Sequence, residues 1–208
     1  MIPPEVVLLF FGASIVLGLA PGPDNIFVLT QSALYGRLAG FVVTAGLCTG
    51  LLVHTAAVAF GVAAIFQASV LAFTVLKIIG AGYLLYLAWQ AFRAGQSDLS
   101  ADERSTISLG QLYGRGIIMN LSNPKVAIFF LAFLPQFADP TQGSLAVQML
   151  LLGALFIAAT VLVFGAVAWG AGFLGERLRQ SHKAQVIMNR VAGTVFIGLA
   201  LKLTSSER

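Results

Sequence analysis

The sequence predicts an all-α membrane protein: six transmembrane helices arranged as two inverted three-helix repeats, with the first helix of each repeat broken. Three observations predict it. Of 208 residues, 58% are hydrophobic and only 10% are charged, where a soluble domain carries about 25% charged residues. The mean hydropathy is +0.91, too apolar for a water-facing surface. Finally, six apolar stretches approach the roughly 20 residues that cross a bilayer, and two of them are interrupted by proline and polar residues at matching places.

The six segments cover residues 6–34, 39–66, 70–92, 112–134, 145–174 and 186–203. The first opens behind two prolines and Glu5 rather than a positively charged leader, so it reads as a retained helix and not a cleaved signal. Alternation over ten residues, the mark of a membrane barrel, is missing. The second segment carries small-residue stripes, "GRLAG" at 36–40 and "GLCTG" at 46–50. These suit close helix contact within the chain or across a homodimer. Cys48 reads as a small packing residue. The third segment ends in Tyr83, Tyr86 and Trp89, an interfacial belt, and Lys77 reads as snorkelling to the outer surface. A polar stretch of mixed charge follows at 93–111 and divides a single transport domain, 1–208, into repeat one (1–92) and repeat two (112–208).

Lysine and arginine orient the chain. Arg37, then Arg93, Arg104 and Arg115, then Arg177, Arg179, Lys183 and Arg190 fall in alternate connections, and the connections between them hold none. The basic loops are therefore expected in the cytoplasm and both termini outside, although Lys202 and Arg208 lie at the outer end. The net charge of +4 is accounted for by these loops and indicates the bilayer, not nucleic acid, as the partner.

Three helices per half is an odd number, so a second half related to the first inserts upside down. Inverted repeats with discontinuous helices mark the substrate site of many secondary transporters. The interruptions here are "PGPDN" (Pro21, Gly22, Pro23, Asp24, Asn25) and "NPK" (Asn123, Pro124, Lys125). Asp24 lies 13 residues before Arg37, and Lys125 lies 10 residues after Arg115. At ~1.5 Å per helical residue both stand roughly 15–20 Å from the inner surface. Each charge alone costs about 2.5–3.5 kcal/mol at the membrane centre, and each interior proline costs about 3 kcal/mol relative to alanine. Two opposite charges at one depth, on helices that restart there, describe a site for a small solute carrying both charges, such as a free amino acid. Helix N-termini and Lys125 would receive the anion, and Asp24 the cation. A carboxyl whose surroundings change between two states can also release and rebind a proton, so protons are a candidate co-substrate.

Gln31, Asn120 and Gln136 flank the breaks and are candidate lining residues. His54, inside the second segment, suits a proton relay or a helix–helix hydrogen bond equally. No cofactor motif, zinc pattern, nucleophile elbow or paired aspartates appear. A membrane-embedded enzyme acting on a lipid and a channel or assembly subunit stand as alternatives to a transporter.

The stretches "PGPDNIFVLTQSALYGRLAG", "GAGYLLYLAWQAFR" and "NLSNPKVAIFFLAFLPQF" resemble the lysine exporter/threonine–homoserine exporter superfamily of bacterial inner-membrane proteins over nearly the whole chain. The resemblance implies efflux of an amino acid or close derivative, driven by the proton gradient, with no enzymatic activity and no cofactor. It carries over to Pro21, Gly22, Pro23, Asp24, Asn123, Pro124 and Lys125.

Overall fold

The computed structural model describes residues 2–20, 22–62, 70–93, 108–180 and 182–205, and all the secondary structure in them is helical. The segment 94–107, most of the expected linker, lies outside the described residues, as do Pro21 and the side chain of Lys77.

The first expected segment is two helices, α1 (Pro4–Leu19) and α2 (Pro23–Tyr35), bent by 62°. Each starts on a proline, whose missing N–H costs nothing in a first turn. A turn at Gly36, φ +85°, leads into α3 (Arg37–Ala57). That left-handed angle favours glycine because it has no Cβ. Helix α3 runs on as a π-helical turn, Val58–Val62. Next comes α4 (Val70–Arg93).

Helix α5 (Leu109–Ser122) begins at a reciprocal cap: Ser108 Oγ accepts from the Gln111 N–H, and Gln111 Oε1 accepts from the Ser108 N–H. The cap starts the helix a few residues earlier than the fall in polarity suggests. Asn123 breaks it. Its Oδ1 accepts the Lys125 N–H at 3.0 Å and so caps α6 (Pro124–Ile128). Helix α6 continues through a π-helical turn, Phe129–Phe133, and a 3-10 turn, Leu134–Phe137. The pieces on either side of Asn123 are bent by 52°. Helices α7 (Leu145–Gln180) and α8 (His182–Ser205) complete the chain.

Among the described residues two helical stretches, Arg37–Gly61 and Leu145–Ala171, are long and apolar enough to cross a membrane, or four if each bent pair is one span. Leucine, valine, tryptophan and phenylalanine on their outer faces are exposed, as a lipid-facing surface requires. Tyr86 and Trp89 on α4 also face outward. The packing is reciprocal. Helix α3 lies on α5, and α7 lies on α1 and α2; α3 also packs on α7, and α4 on α8. The α3–α5 crossing is close: a Cβ on Gly46 would strike the Tyr113 backbone, and one on Gly116 the Val43 carbonyl. Gly40 faces Ser32 and Ala168 in the same way. Three of the stripe glycines, Gly40, Gly46 and Gly50, thus serve contacts within the chain.

Candidate functional site

A proline at position i has no N–H for the carbonyl of residue i−4. In lipid an orphaned carbonyl must find another donor. Pro21 deprives the carbonyl of Leu17, and Pro124 deprives that of Asn120. The structure supplies each with a donor from a distant helix.

At the first break the donor is Lys125. Its ammonium bonds the carbonyls of Ala20 (3.1 Å) and Leu17 (3.4 Å). The side chain is only 7% exposed. These oxygens are the negative end of α1, where a cation is favoured. Gly22 leaves space for it, since a Cβ there would stand 3.0 Å from Nζ. Asn25 ties the start of α2 back to α1 through Nδ2 and the Gly18 carbonyl, 2.6 Å.

At the second break the donors are Asn123 N–H, 3.1 Å from the Asn120 carbonyl, and His54 Nε2 on α3, 3.3 Å from it. A carbonyl only accepts, so Nε2 carries the proton. The His54 ring also lies beside Phe130, 5.7 Å between centroids.

The two breaks therefore lie against each other. Asp24, in the first turn of α2, is 3% exposed. Lys125 and His54 act on its carboxylate electrostatically, and the amides of Asn120 and Asn123 are within reach of it. None of these closes a hydrogen bond to Oδ1, which is buried without a partner. Asn123 Nδ2, Asn120 Oδ1, Asn25 Oδ1 and Gln31 Oε1 are buried and unpaired too. The expected pair of opposite charges is thus present as neighbours, with the ammonium held on main-chain oxygens and not in direct contact with the carboxylate.

Gly22, Asp24, His54, Asn120, Asn123 and Lys125 come together, while the helix-starting prolines Pro23 and Pro124 are both exposed. Gln31 lies seven residues along α2 from Asp24 and is buried. Gln136 stands apart, its amide on the Ala132 carbonyl of its own turn, 3.4 Å. Residue types do not reveal the carbonyls of Leu17 and Ala20, although the proline at 21 points four residues back to Leu17. Beyond Lys125, Phe129, Phe130, Phe133 and Phe137 stack with Phe10 and Phe156, centroids 4.8–6.3 Å apart. Among the described residues no three His, Cys, Asp or Glu gather as a metal site requires.

The sequence from residue 15 to 207 matches the family model for LysE type translocators. The chain belongs to that family. It is accordingly a multi-pass membrane translocator of the efflux type and not an enzyme. The homoserine/homoserine lactone efflux protein of Salmonella typhimurium is 36% identical over 198 residues, 93% of each chain, and its Salmonella typhi counterpart gives the same figures. An uncharacterized membrane protein of Vibrio cholerae is 33% identical over 98% of each chain. No solved structure gives a significant match.

Proposed function

We propose that this LysE-type translocator exports homoserine or homoserine lactone from the bacterial cytoplasm by exchange with protons. The substrate class follows the relatives whose names state it. The observation that carries the mechanism is the meeting of the two breaks, where a buried carboxylate with one unpaired oxygen neighbours a buried ammonium. Alternating access of such a site requires broken helices from two halves that rock against each other. Six helices in two inverted repeats, about 1–92 and 112–208, would provide them. The reciprocal packing, second helix of each half on the broken helix of the other and third on third, supports that arrangement. The basic loops support an inner-membrane orientation with both termini outside.

In this cycle Asp24 takes a proton from the outside and releases it inside, and the solute leaves in the opposite sense. Pro21, Gly22, Pro23, Asn25, Asn123 and Pro124 shape the broken backbone around it, and Lys125 sets the charge balance. The test is export from cells loaded with homoserine, followed by uptake of homoserine into inside-out vesicles with an imposed pH gradient, acidic inside. Tolerance and efflux in cells together with uptake that rises with the gradient are expected. Efflux unchanged by deleting or expressing the chain rejects the substrate class. Uptake indifferent to the gradient rejects proton exchange.

A further inference from the structure

Homoserine carries an ammonium, a carboxylate and a hydroxyl. Its lactone keeps the ammonium and has no carboxylate. A site that serves both recognises what they share, so on the reading proposed above the decisive contacts are those to an ammonium.

The structure already holds an ammonium in such contacts. Lys125 Nζ sits on the carbonyls of Leu17 and Ala20, at the end of α1 where the helix is electrically negative. Asp24, 3% exposed, keeps Oδ1 without a donor, although Lys125 is close enough to act on it electrostatically. A primary ammonium has three donors and no acceptor. The two carbonyls take two of them, and Asp24 Oδ1 is the acceptor left over. The ammonium of Lys125 is tied to α6 through its own stem and is not in contact with that oxygen. A free amine has no such tether. The main chain at Gly22 comes within a Cβ's breadth of the ammonium, so the seat fits a bare –NH3 group and little more.

We infer that Leu17 O, Ala20 O and Asp24 form the seat for the substrate's ammonium, and that Lys125 fills this seat with its own ammonium when substrate is absent. Lys125 is then a tethered competitor that keeps the empty seat from standing uncompensated in the membrane. It does not anchor a carboxylate. This inference depends on the proposed substrate class and adds to it the group that is read and the residue that replaces it.

The test uses the purified full chain and Lys125→Ala in lipid nanodiscs. Methylammonium is expected to raise the melting temperature of Lys125→Ala by several degrees and to leave the parent unchanged. Tetramethylammonium, which has no N–H, should shift the melting temperature of neither protein. L-Homoserine and L-homoserine lactone should bind the variant at least as tightly as the parent, and compete there with methylammonium. γ-Butyrolactone, which lacks the ammonium, should bind neither protein. Lys125→Met, which keeps an apolar stem, replaces Lys125→Ala if the latter does not fold. The inference is overturned if removing the amine weakens homoserine by about tenfold or more while the lactone is unaffected, because Lys125 would then hold a carboxylate. It is equally overturned if methylammonium leaves the variant unchanged. Failure of the parent to bind either compound would instead reject the substrate class itself.

Discussion

His54 donates Nε2–H to the main-chain carbonyl of Asn120, the oxygen that Pro124 leaves without its helical partner. The histidine is thereby fixed as a donor from α3 to the second break. Its Nε2 proton is committed to that carbonyl in the neutral and the charged ring alike, which favours a positioning role over a relay through that nitrogen. Removing it takes one of that carbonyl's two donors and leaves the Asn123 N–H, at a cost of about 0.5–1.5 kcal/mol. His54→Ala is expected to lose stability by that amount and to transport poorly. His54→Gln, which can still donate, should recover most of both and leave the pH profile of transport in place. If His54→Gln instead flattens that profile, the ring works as a proton carrier.

Asp24→Asn retains size and hydrogen bonding but cannot ionise. In vesicles, transport driven by the pH gradient should disappear, while membrane insertion and melting temperature stay near those of the parent. Retained gradient-driven transport would remove Asp24 from the coupling step.

Gly46 and Gly116 allow the main chains of α3 and α5 to touch. Gly46→Ala places a methyl group on the Tyr113 carbonyl, and rigid backbone does not yield as a side-chain tip does. Overpacking of this kind costs about 1–3 kcal/mol. A lower melting temperature in nanodiscs is the expected readout, with Gly82→Ala, which meets open space, as the neutral control.

Outside the membrane-spanning helices, Asp139 caps a short 3-10 turn. Its Oδ1 accepts from Thr141 Oγ1 at 2.7 Å and from the Thr141 N–H at 2.8 Å. These bonds favour the ionised form and hold its carboxyl below the usual carboxylate range. A depressed folded value means the contribution is complete above the ordinary carboxylate pKa and is lost as pH falls through the lower folded one. Thr141 amide exchange, after correction for intrinsic rates, should therefore show constant protection from neutral pH down to the ordinary carboxylate range and lose it only at lower pH. Asp139→Asn should abolish that acid dependence.

The helices and both breaks were legible from composition, because lipid leaves an interior proline or charge no neutral explanation. Depth counted from Arg37 and Arg115 was enough to put Asp24 and Lys125 at one level. The partner of Lys125 was not legible, since Leu17 and Ala20 contribute main-chain oxygen, which no residue letter encodes. His54 suits a relay and a helix–helix hydrogen bond alike in the sequence, because the carbonyl it meets belongs to Asn120, 66 positions away. Gln136 is near the second break along the chain, and no residue letter shows that its amide bonds the Ala132 carbonyl of its own turn. Small-residue spacing announced a close contact at Gly46 and Gly50 but not its partner, because spacing describes one surface of a contact and not the other.

The lysine that closes off the end of α1 is encoded more than a hundred residues downstream of the oxygens it covers. A ribosome thus delivers the opening helices to the bilayer with their terminal oxygens bare, and completes them only after the fourth segment has been made. The early portion of the polypeptide expressed alone should be cleared by membrane proteases, and supplying the remainder as a separate chain should rescue it.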